Sequence, residues 1–463
     1  MGGGLMQLVA YGAQDVYLSG NPQITFFKNI YRRHTNFSME SISQSFNAPV
    51  QFGKKFSCAI ARNGDLVSDM HLEITLPAIK QVQATDGSTS SYVSWTQGIG
   101  NALIKSVSID IGGQELDKHY GEWLDIWNEL NLPDSKKKTY KKMVGNEYAS
   151  DLMDPSLVSD IAQSEYNLYV PLRFWFNNNP GLALPLIALQ YHEIKINLEI
   201  DDVQHLIRND GGHISAPQDS DGNALEIKEC NLMVNYIYLD TDERRRFSQI
   251  SHEYLIEQVQ FLGTEAVEST ASTDPKKPNP SSSFHSVKLK FNHPVKVLHW
   301  VIQDDTFLAN DSNESNVDAT AYDSGNQKLR YSSLAKLNNR TDTFTTAKLQ
   351  INGHDRMAEK PAEYYRLVQN NRYMPGQTDK KIYTYSFALN PGEHQPSGSC
   401  NFSRVDIAKL NLNFDTTSTS QNTKDDGTNY TGQLFNDVHV KVYAVNYNVL
   451  RIMSGMGGLA YSN

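Results

Sequence analysis

Ile109-Asp-Ile-Gly-Gly113-Gln-Glu115 and Leu349-Gln-Ile-Asn-Gly353-His-Asp355 share one pattern, an alternating apolar run closed by a glycine turn, 240 positions apart. Each is followed by a short aromatic segment with helical spacing, around Trp123 in the first half and around Tyr364 in the second. Three further echoes follow in the same order. Asn179-Pro-Gly181 is answered by Asn390-Pro-Gly392 at an offset of 211, Lys195-Ile-Asn-Leu198 by Lys409-Leu-Asn-Leu412 at 214, and Val234-Asn-Tyr236 by Val445-Asn-Tyr447 at 211. A run of matches with nearly constant offset is the signature of a duplicated unit. The unit is about 210 residues long, and the join falls near Asp240, where Thr241-Asp-Glu-Arg-Arg-Arg-Phe247 reads as a charged connector.

Strand patterns fill both copies. Ser106–Ile111, Glu193–Ile200 and His439–Tyr447 alternate apolar and polar residues, as a half-buried strand does. The stretches 284–291, 295–302 and 381–387 are rich in β-branched and aromatic residues, which pack well on a pleated surface. Helical periodicity is confined to 120–130, with Trp123, Ile126, Trp127 and Leu130 on one face, and to 361–369. The expected fold is mainly β: two tandem eight-stranded jelly-roll sandwiches, a double jelly roll, with a few short helices. The segments 209–222, 269–283, 307–326 and 416–431 combine Gly, Pro, Ser, Thr, Asn and Asp without an apolar period and read as long exposed loops.

Composition narrows the function. The 463 residues carry 52 acidic and 42 basic side chains, a net charge of −10, so a chain-wide basic footprint for nucleic acid is absent. With 24 Tyr, 18 Phe and only 20% charged residues, the chain is globular and not disordered. The longest strongly apolar stretch, 181–189, has nine residues and a proline, far short of the roughly 20 that a membrane-spanning helix needs. The start, Met1-Gly-Gly-Gly-Leu-Met6, lacks a basic region and a sustained apolar core, so no cleaved secretory signal is expected. Met6 stands where acylation of Gly2 would want Ser or Thr. Cys58, Cys230 and Cys400 are far apart and in no C-x-x-C pair, and are expected to be buried free thiols.

Catalytic patterns are missing. His192-Glu193 and His252-Glu253 lack the i, i+4 histidine spacing of a helical zinc site. Asp240 and Asp242 lie beside Arg244, Arg245 and Arg246, where solvated ion pairing is the simpler reading. There is no phosphate-cradling P-loop and no G-x-S-x-G nucleophile elbow. The clusters Gly112-Gly113 and Gly455–Gly458 read as a turn and a flexible tail. The concentrated basic patch, Lys136, Lys137, Lys138, Lys141 and Lys142, fits a solvated helix face better than a nucleic-acid site. No catalytic, cofactor-binding or metal residue is therefore assigned, and no cofactor is expected. A building block that joins its neighbours through edges, loops and termini fits this absence. The alternative, a glycan-binding or glycan-cleaving tandem sandwich, would need the five tryptophans, Trp95, Trp123, Trp127, Trp175 and Trp300, to form a sugar platform or meet a carboxylate pair.

Longer motifs then point to a family. Leu8-Val-Ala-Tyr-Gly-Ala-Gln-Asp-Val-Tyr-Leu-Ser-Gly-Asn-Pro-Gln-Ile-Thr-Phe-Phe27 and Tyr31-Arg-Arg-His-Thr-Asn-Phe37 open the chain. Arg62-Asn-Gly-Asp-Leu66, Pro171-Leu-Arg-Phe-Trp-Phe176, Leu239-Asp-Thr-Asp-Glu-Arg244 and the run from Asn390 to Arg404 follow, and Tyr447–Tyr461 closes it. Together they resemble the major capsid proteins of nucleocytoplasmic large DNA viruses, nearest to the algal-virus and marseillevirus branch. The resemblance implies a structural protein and not an enzyme: a double jelly roll forming homotrimeric, pseudo-hexagonal capsomers that tile a large icosahedral virion shell. It implies an N-terminal arm (1–25), a first roll (26–240), a second roll (241–450) and a C-terminal tail (451–463). It further implies contacts with neighbouring capsomers, minor capsid proteins and penton proteins, indirect contact with an internal membrane, no direct nucleic-acid contact, and assembly in the host cytoplasm. Glycans on outward loops in such proteins make Asn310, Asn313 and Asn339 candidate attachment sites.

Overall fold

The computed structural model describes residues 3–79, 93–145, 165–209, 218–219, 222–267, 284–304, 327–331, 342–414 and 438–461. Asn310, Asn313, Asn339 and nearly all of the four long loops lie outside the described residues.

Sixteen principal strands fall into two sets of eight. In the first set, β1 (Phe37–Ser45), β2 (Lys55–Ala59), β3 (Leu66–Leu76), β4 (Ile104–Ile111), β5 (Gln114–His119), β6 (Tyr166–Pro171), β7 (Ile194–Ile200) and β8 (Glu229–Leu239) form two antiparallel sheets, ordered β1-β8-β3-β6 and β2-β7-β4-β5. In the second, β9 (His252–Val267), β10 (Phe284–Lys288), β11 (Pro294–Asp304), β12 (Thr346–Ile351), β13 (His354–Asp355), β14 (Tyr383–Ser386), β15 (Ala408–Asn413) and β16 (Val438–Met453) are ordered β9-β16-β11-β14 and β10-β15-β12-β13. Adding eight to each label of the first roll gives the second, which is the jelly-roll wiring used twice.

The ladders test the duplication residue by residue. Ile109 pairs with Ile196 across β4 and β7, and Leu349 with Leu410 across β12 and β15. Offsets of 240 and 214, read from unconnected motifs, carry the first pair onto the second. The hairpin turns agree as well: Gly112 and Gly113 have φ of 60° and 84°, and Asn352 and Gly353 have 50° and 81°. Two successive positive φ values are what a two-residue type I′ hairpin requires, and Gly and Asn supply them at least cost. The Val234 and Val445 echo identifies equivalent strands but not equivalent faces. Val234 points into the first core, whereas Val445 turns outward onto the neighbouring roll. A one-residue slip is enough to exchange faces, because side chains alternate along a strand.

Alternation fills each sandwich. Leu72, Ile74, Val107, Ile109, Leu168 and Leu232 line the first core, and Trp300, Leu349, Tyr365, Tyr383, Leu410 and Val442 line the second. Helix α1 (Gly121–Asn131) follows β5 where the sequence places it. It starts where a Cβ on Gly121 would lie 2.0 Å from the Asn101 carbonyl oxygen, so only glycine allows this approach. Helix α2 (Asp134–Met143) carries the lysine run, and α3 (Thr241–Gln249) replaces the expected connector. The side chain of Asp240 accepts from Thr241 N at the start of α3, and Arg244 pairs with Asp65 at 3.0 Å. In the second roll the helical segment is a π-turn, Tyr364–Val368, continued by Gln369–Tyr373. Beyond β16 the chain is not the flexible tail expected at Gly455–Gly458: a turn at Ser454-Gly455 returns it as a strand, Met456–Leu459, held by pairing to β16.

Residues 1–37 form a separate compact unit. Its short helices, Gly3–Val9 and Val16–Ser19, bury no residue. No helix among the described residues is long and apolar enough to cross a membrane.

Candidate assembly surfaces

The best-defined interaction surface lies between the two rolls, and α1 builds it. Trp123, Ile126 and Leu130 recur at helical spacing and pack on the outer face of the second roll, against Val297 and Val301 of β11 and Tyr443 and Val445 of β16. Burying each such side chain contributes about 1.5–3 kcal/mol. Rings extend the contact: Tyr443 stacks on Phe261 at 4.6 Å, Tyr120 meets Phe261 edge-on at 4.9 Å, and Trp123 lies 5.6 Å from Tyr443.

Buried charges fix the register. Glu122 accepts from Lys441 Nζ at 2.6 Å and from the Tyr443 hydroxyl at 3.0 Å. One turn further along, both Asp125 oxygens accept from Lys380 Nζ at 2.7 and 2.6 Å, and Tyr331 OH donates to Asp125 at 3.2 Å. Burial works to lower the Lys380 ammonium, but the Asp125 and Glu129 carboxylates outweigh it and hold the group above its ordinary range. Lys328 bonds Asp201 at 2.6 Å; burial would raise that carboxyl, yet the Lys328 charge brings it below its usual value. Backbone links add to these. Gln258 donates to the Leu116 carbonyl, Val259 N to Asp117 Oδ1 at 3.0 Å, and Gly376 N to the Leu130 carbonyl at 2.8 Å. Ile256, Leu450 and Ile452 of the second roll complete the core of the first. Two sandwiches that share a core and a set of buried ion pairs form one compact unit, residues 38–463.

His299 sits in this seam, 5.8 Å from Trp123, with Nδ1 3.0 Å from Thr384 Oγ1. Burial, helped by the Lys296 charge, lowers it to about 3, so it is neutral at physiological pH. A cavity of about 230 Å³ opens beside it, lined by Trp123, Trp127, Trp175, Glu257, Lys296 and His394. Lys296 bonds Glu257 at 2.6 Å, and no second carboxylate lines the cavity.

The other sequence candidates separate into structural roles. Trp300 is in the second core, Trp175 in the first, and Trp127 stacks under the Arg173 guanidinium at 4.6 Å. Trp123, Trp127 and Trp175 meet at the cavity that Glu257 and Lys296 line, and Trp95 stacks on Phe52 at 6.1 Å. Lys137 turns back to Asp134 at 3.2 Å, and Tyr140 accepts from Asn128 and exchanges hydrogen bonds with Asn101, which leaves the rest of the lysine run as a solvated face. His192 bonds Gly457 at 3.0 Å and His252 bonds the Phe247 carbonyl at 2.8 Å. No group of three or more metal-ligating side chains occurs among the described residues. All three cysteines are free, but Cys230 and Cys400 are only partly buried, because they lie at a sheet margin and in a short bridging strand. Burial pushes the Cys58 thiol up to about 11 and the Cys230 thiol up to about 12, which favours the protonated thiol at both positions.

A different kind of surface is exposed on residues 1–37. Tyr17, Leu18, Phe26 and Phe27 are each at least 88% exposed, and Leu8, Val9, Ile30 and Tyr31 are also open. Apolar exposure on this scale marks a segment that buries itself against something else.

Comparison with known proteins agrees with this picture of an assembling block. Residues 25–240 match the family described as major capsid protein N-terminus, and residues 243–458 match large eukaryotic DNA virus major capsid protein. The chain belongs to the major capsid proteins of large eukaryotic DNA viruses. It is 45% identical to the major capsid protein of Pyramimonas orientalis virus and 41% identical to that of Paramecium bursaria Chlorella virus 1, with 100% of each chain covered in both cases. Among solved structures, VP54 of PBCV-1 superposes with a TM-score of 0.74 at 36% identity, covering 95% of this chain and 100% of VP54. The quasi-atomic PBCV-1 capsid gives 0.74 at 35% identity, with the same coverage. The Faustovirus major capsid protein, 14% identical with a TM-score of 0.68, shares the fold. This capsid protein is a structural component of the virion and not an enzyme, and its double jelly roll is that of its relatives.

Proposed function

We propose that three copies of this capsid protein close into a pseudo-hexagonal capsomer, and that such capsomers tile a large icosahedral shell. The observation that carries the reading is the match between the rolls. With the same strand order in both and a rigid seam between them, three chains present six similar walls, enough to fill a near-hexagonal lattice position with one gene product. Assembly then draws on buried interface area with no chemical step.

In this reading residues 1–25 are an arm, the two rolls follow over 26–240 and 241–450, and 451–463 close the chain. The exposed apolar side chains of the arm serve minor capsid proteins and neighbouring capsomers, and penton proteins fill the vertices. Contact with an internal membrane runs through those partners, and nucleic acid is not touched, in keeping with the net charge of −10. Assembly takes place in the host cytoplasm, with Asn310, Asn313 and Asn339 as outward glycan sites.

Negative-stain imaging of the purified chain tests the capsomer. Class averages with a six-sided outline and threefold symmetry are expected, and small elongated single-chain particles would overturn it. Deleting residues 1–25 should leave that outline intact and remove the protein from assembled shells.

A further inference from the structure

The same helical position is used in one roll and left open in the other. In α1 the interface residues are Trp123, Ile126, Trp127 and Leu130, and 241 positions later stand Tyr364, Leu367, Val368 and Asn371, after the corresponding hairpin of the second roll. Ile126 is fully buried against the neighbouring roll, whereas Leu367 and Val368 are 50% and 51% exposed. Their neighbour Tyr365 is buried in the second core, and Ala362 and Gln369 are also buried, so the segment is anchored on one side and open on the other.

The sheet that would receive such a face is also used once and left open once. On the second roll, the outer face of β9-β16-β11-β14 receives α1 through His299 and Tyr443, which are ladder partners. On the first roll, His71 and Met233 are ladder partners at the corresponding place in β3 and β8. Around them lie Asp69, Glu73 and the exposed Tyr169, whose ring is 6.4 Å from that of His71.

We propose that the Leu367–Val368 face docks on the outer face of the first roll's β1-β8-β3-β6 sheet in a second copy of this chain. The contact repeats between chains the helix-on-sheet packing that exists within each chain. It rests on the capsomer reading and specifies the surfaces that close it. Charge favours this pairing. Within the chain an acidic helix, with Glu122 and Asp125, meets a basic face with Lys441 and Lys380. Between chains the signs reverse: the exposed Arg372 stands beside the apolar pair, and the receiving sheet offers Glu73, a half-buried carboxylate that is the ladder partner of Tyr169. Donor and acceptor patches sit on different rolls, so the contact is heterologous and closes only as a ring.

The test uses the full chain and reads the concentration at which its oligomer half-dissociates, by light scattering across a dilution series. Leu367→Glu with Val368→Glu should raise that concentration about 100-fold or more, as removal of a central apolar anchor does. The milder pair Leu367→Ala and Val368→Ala should raise it about tenfold and keeps the fold as the reference. Arg372→Glu should weaken association about fivefold, and Glu73→Arg in the same chain should restore it. An oligomer indifferent to the apolar substitutions, or a charge reversal that Glu73→Arg does not rescue, overturns the docking while leaving the capsomer standing. A wild-type chain that stays single at every concentration overturns the capsomer and the docking together.

Discussion

The seam between the rolls and the segment of residues 1–37 are both rich in large apolar side chains, and they differ in who covers them. In the seam, Trp123, Ile126 and Tyr443 are almost wholly removed from water by another part of the same chain. In the first 37 residues, Tyr17, Leu18, Phe26 and Phe27 are almost wholly in water. A seam satisfied within the chain holds the two rolls as one compact unit. In the proposed capsomer, the segment left uncovered gains its burial from neighbouring subunits.

This contrast can be broken most sharply at the buried charges. Glu122→Ala leaves Lys441 and the Tyr443 hydroxyl buried without their acceptor, and should cost about 3–5 kcal/mol in urea unfolding. Replacing the pair by Glu122→Leu with Lys441→Met should recover much of that loss, and a single-mutant cost under about 1 kcal/mol would mean that water reaches the pair. Ile126→Ala should cost about 2–4 kcal/mol, since it opens a cavity between α1 and β11.

The pH dependence of the seam gives the next effect. His299 is lowered to about 3 in the folded chain, so between that value and the ordinary 6.5 the unfolded state binds a proton that the native state refuses. Stability is therefore complete above pH 6.5 and falls as the pH drops, by about 2 kcal/mol at pH 5 from this group. His299→Gln should remove that part of the slope in thermal melts taken from pH 7 to pH 5. An unchanged slope would show that the imidazole is reached by solvent. The smallest effect belongs to the other region: Phe26→Ser with Phe27→Ser should change the stability of the isolated chain by less than about 0.5 kcal/mol. A larger loss would place those rings in a core.

Much of the fold is legible because jelly-roll strands alternate, and alternation survives even in short segments such as Ile194–Ile200. The duplication is legible where a motif is pinned by backbone chemistry, as in Gly112-Gly113 and Asn352-Gly353. It misleads by one residue at Val445, where the strand leaves the core to meet α1, because the facing of a strand depends on packing that the motif does not contain. Helix α3 is hidden by its charge: with Asp242, Glu243 and Arg244–Arg246 it has no apolar stripe, and it folds on its Asp240 cap and the Arg244–Asp65 bridge. The seam itself is half legible. The spacing of Trp123, Ile126 and Leu130 announces an apolar face, but its partners, Val297, Val301, Tyr443 and Val445, lie in the other half of the chain and carry no local signal.

A double roll that closes into a unit of three is the proposed building block. The most direct measurement is the mass of the purified, full-length protein by light scattering over a wide concentration range. One species at three times 52.1 kDa that persists on dilution is expected. A folded protein holding at 52.1 kDa throughout would contradict it.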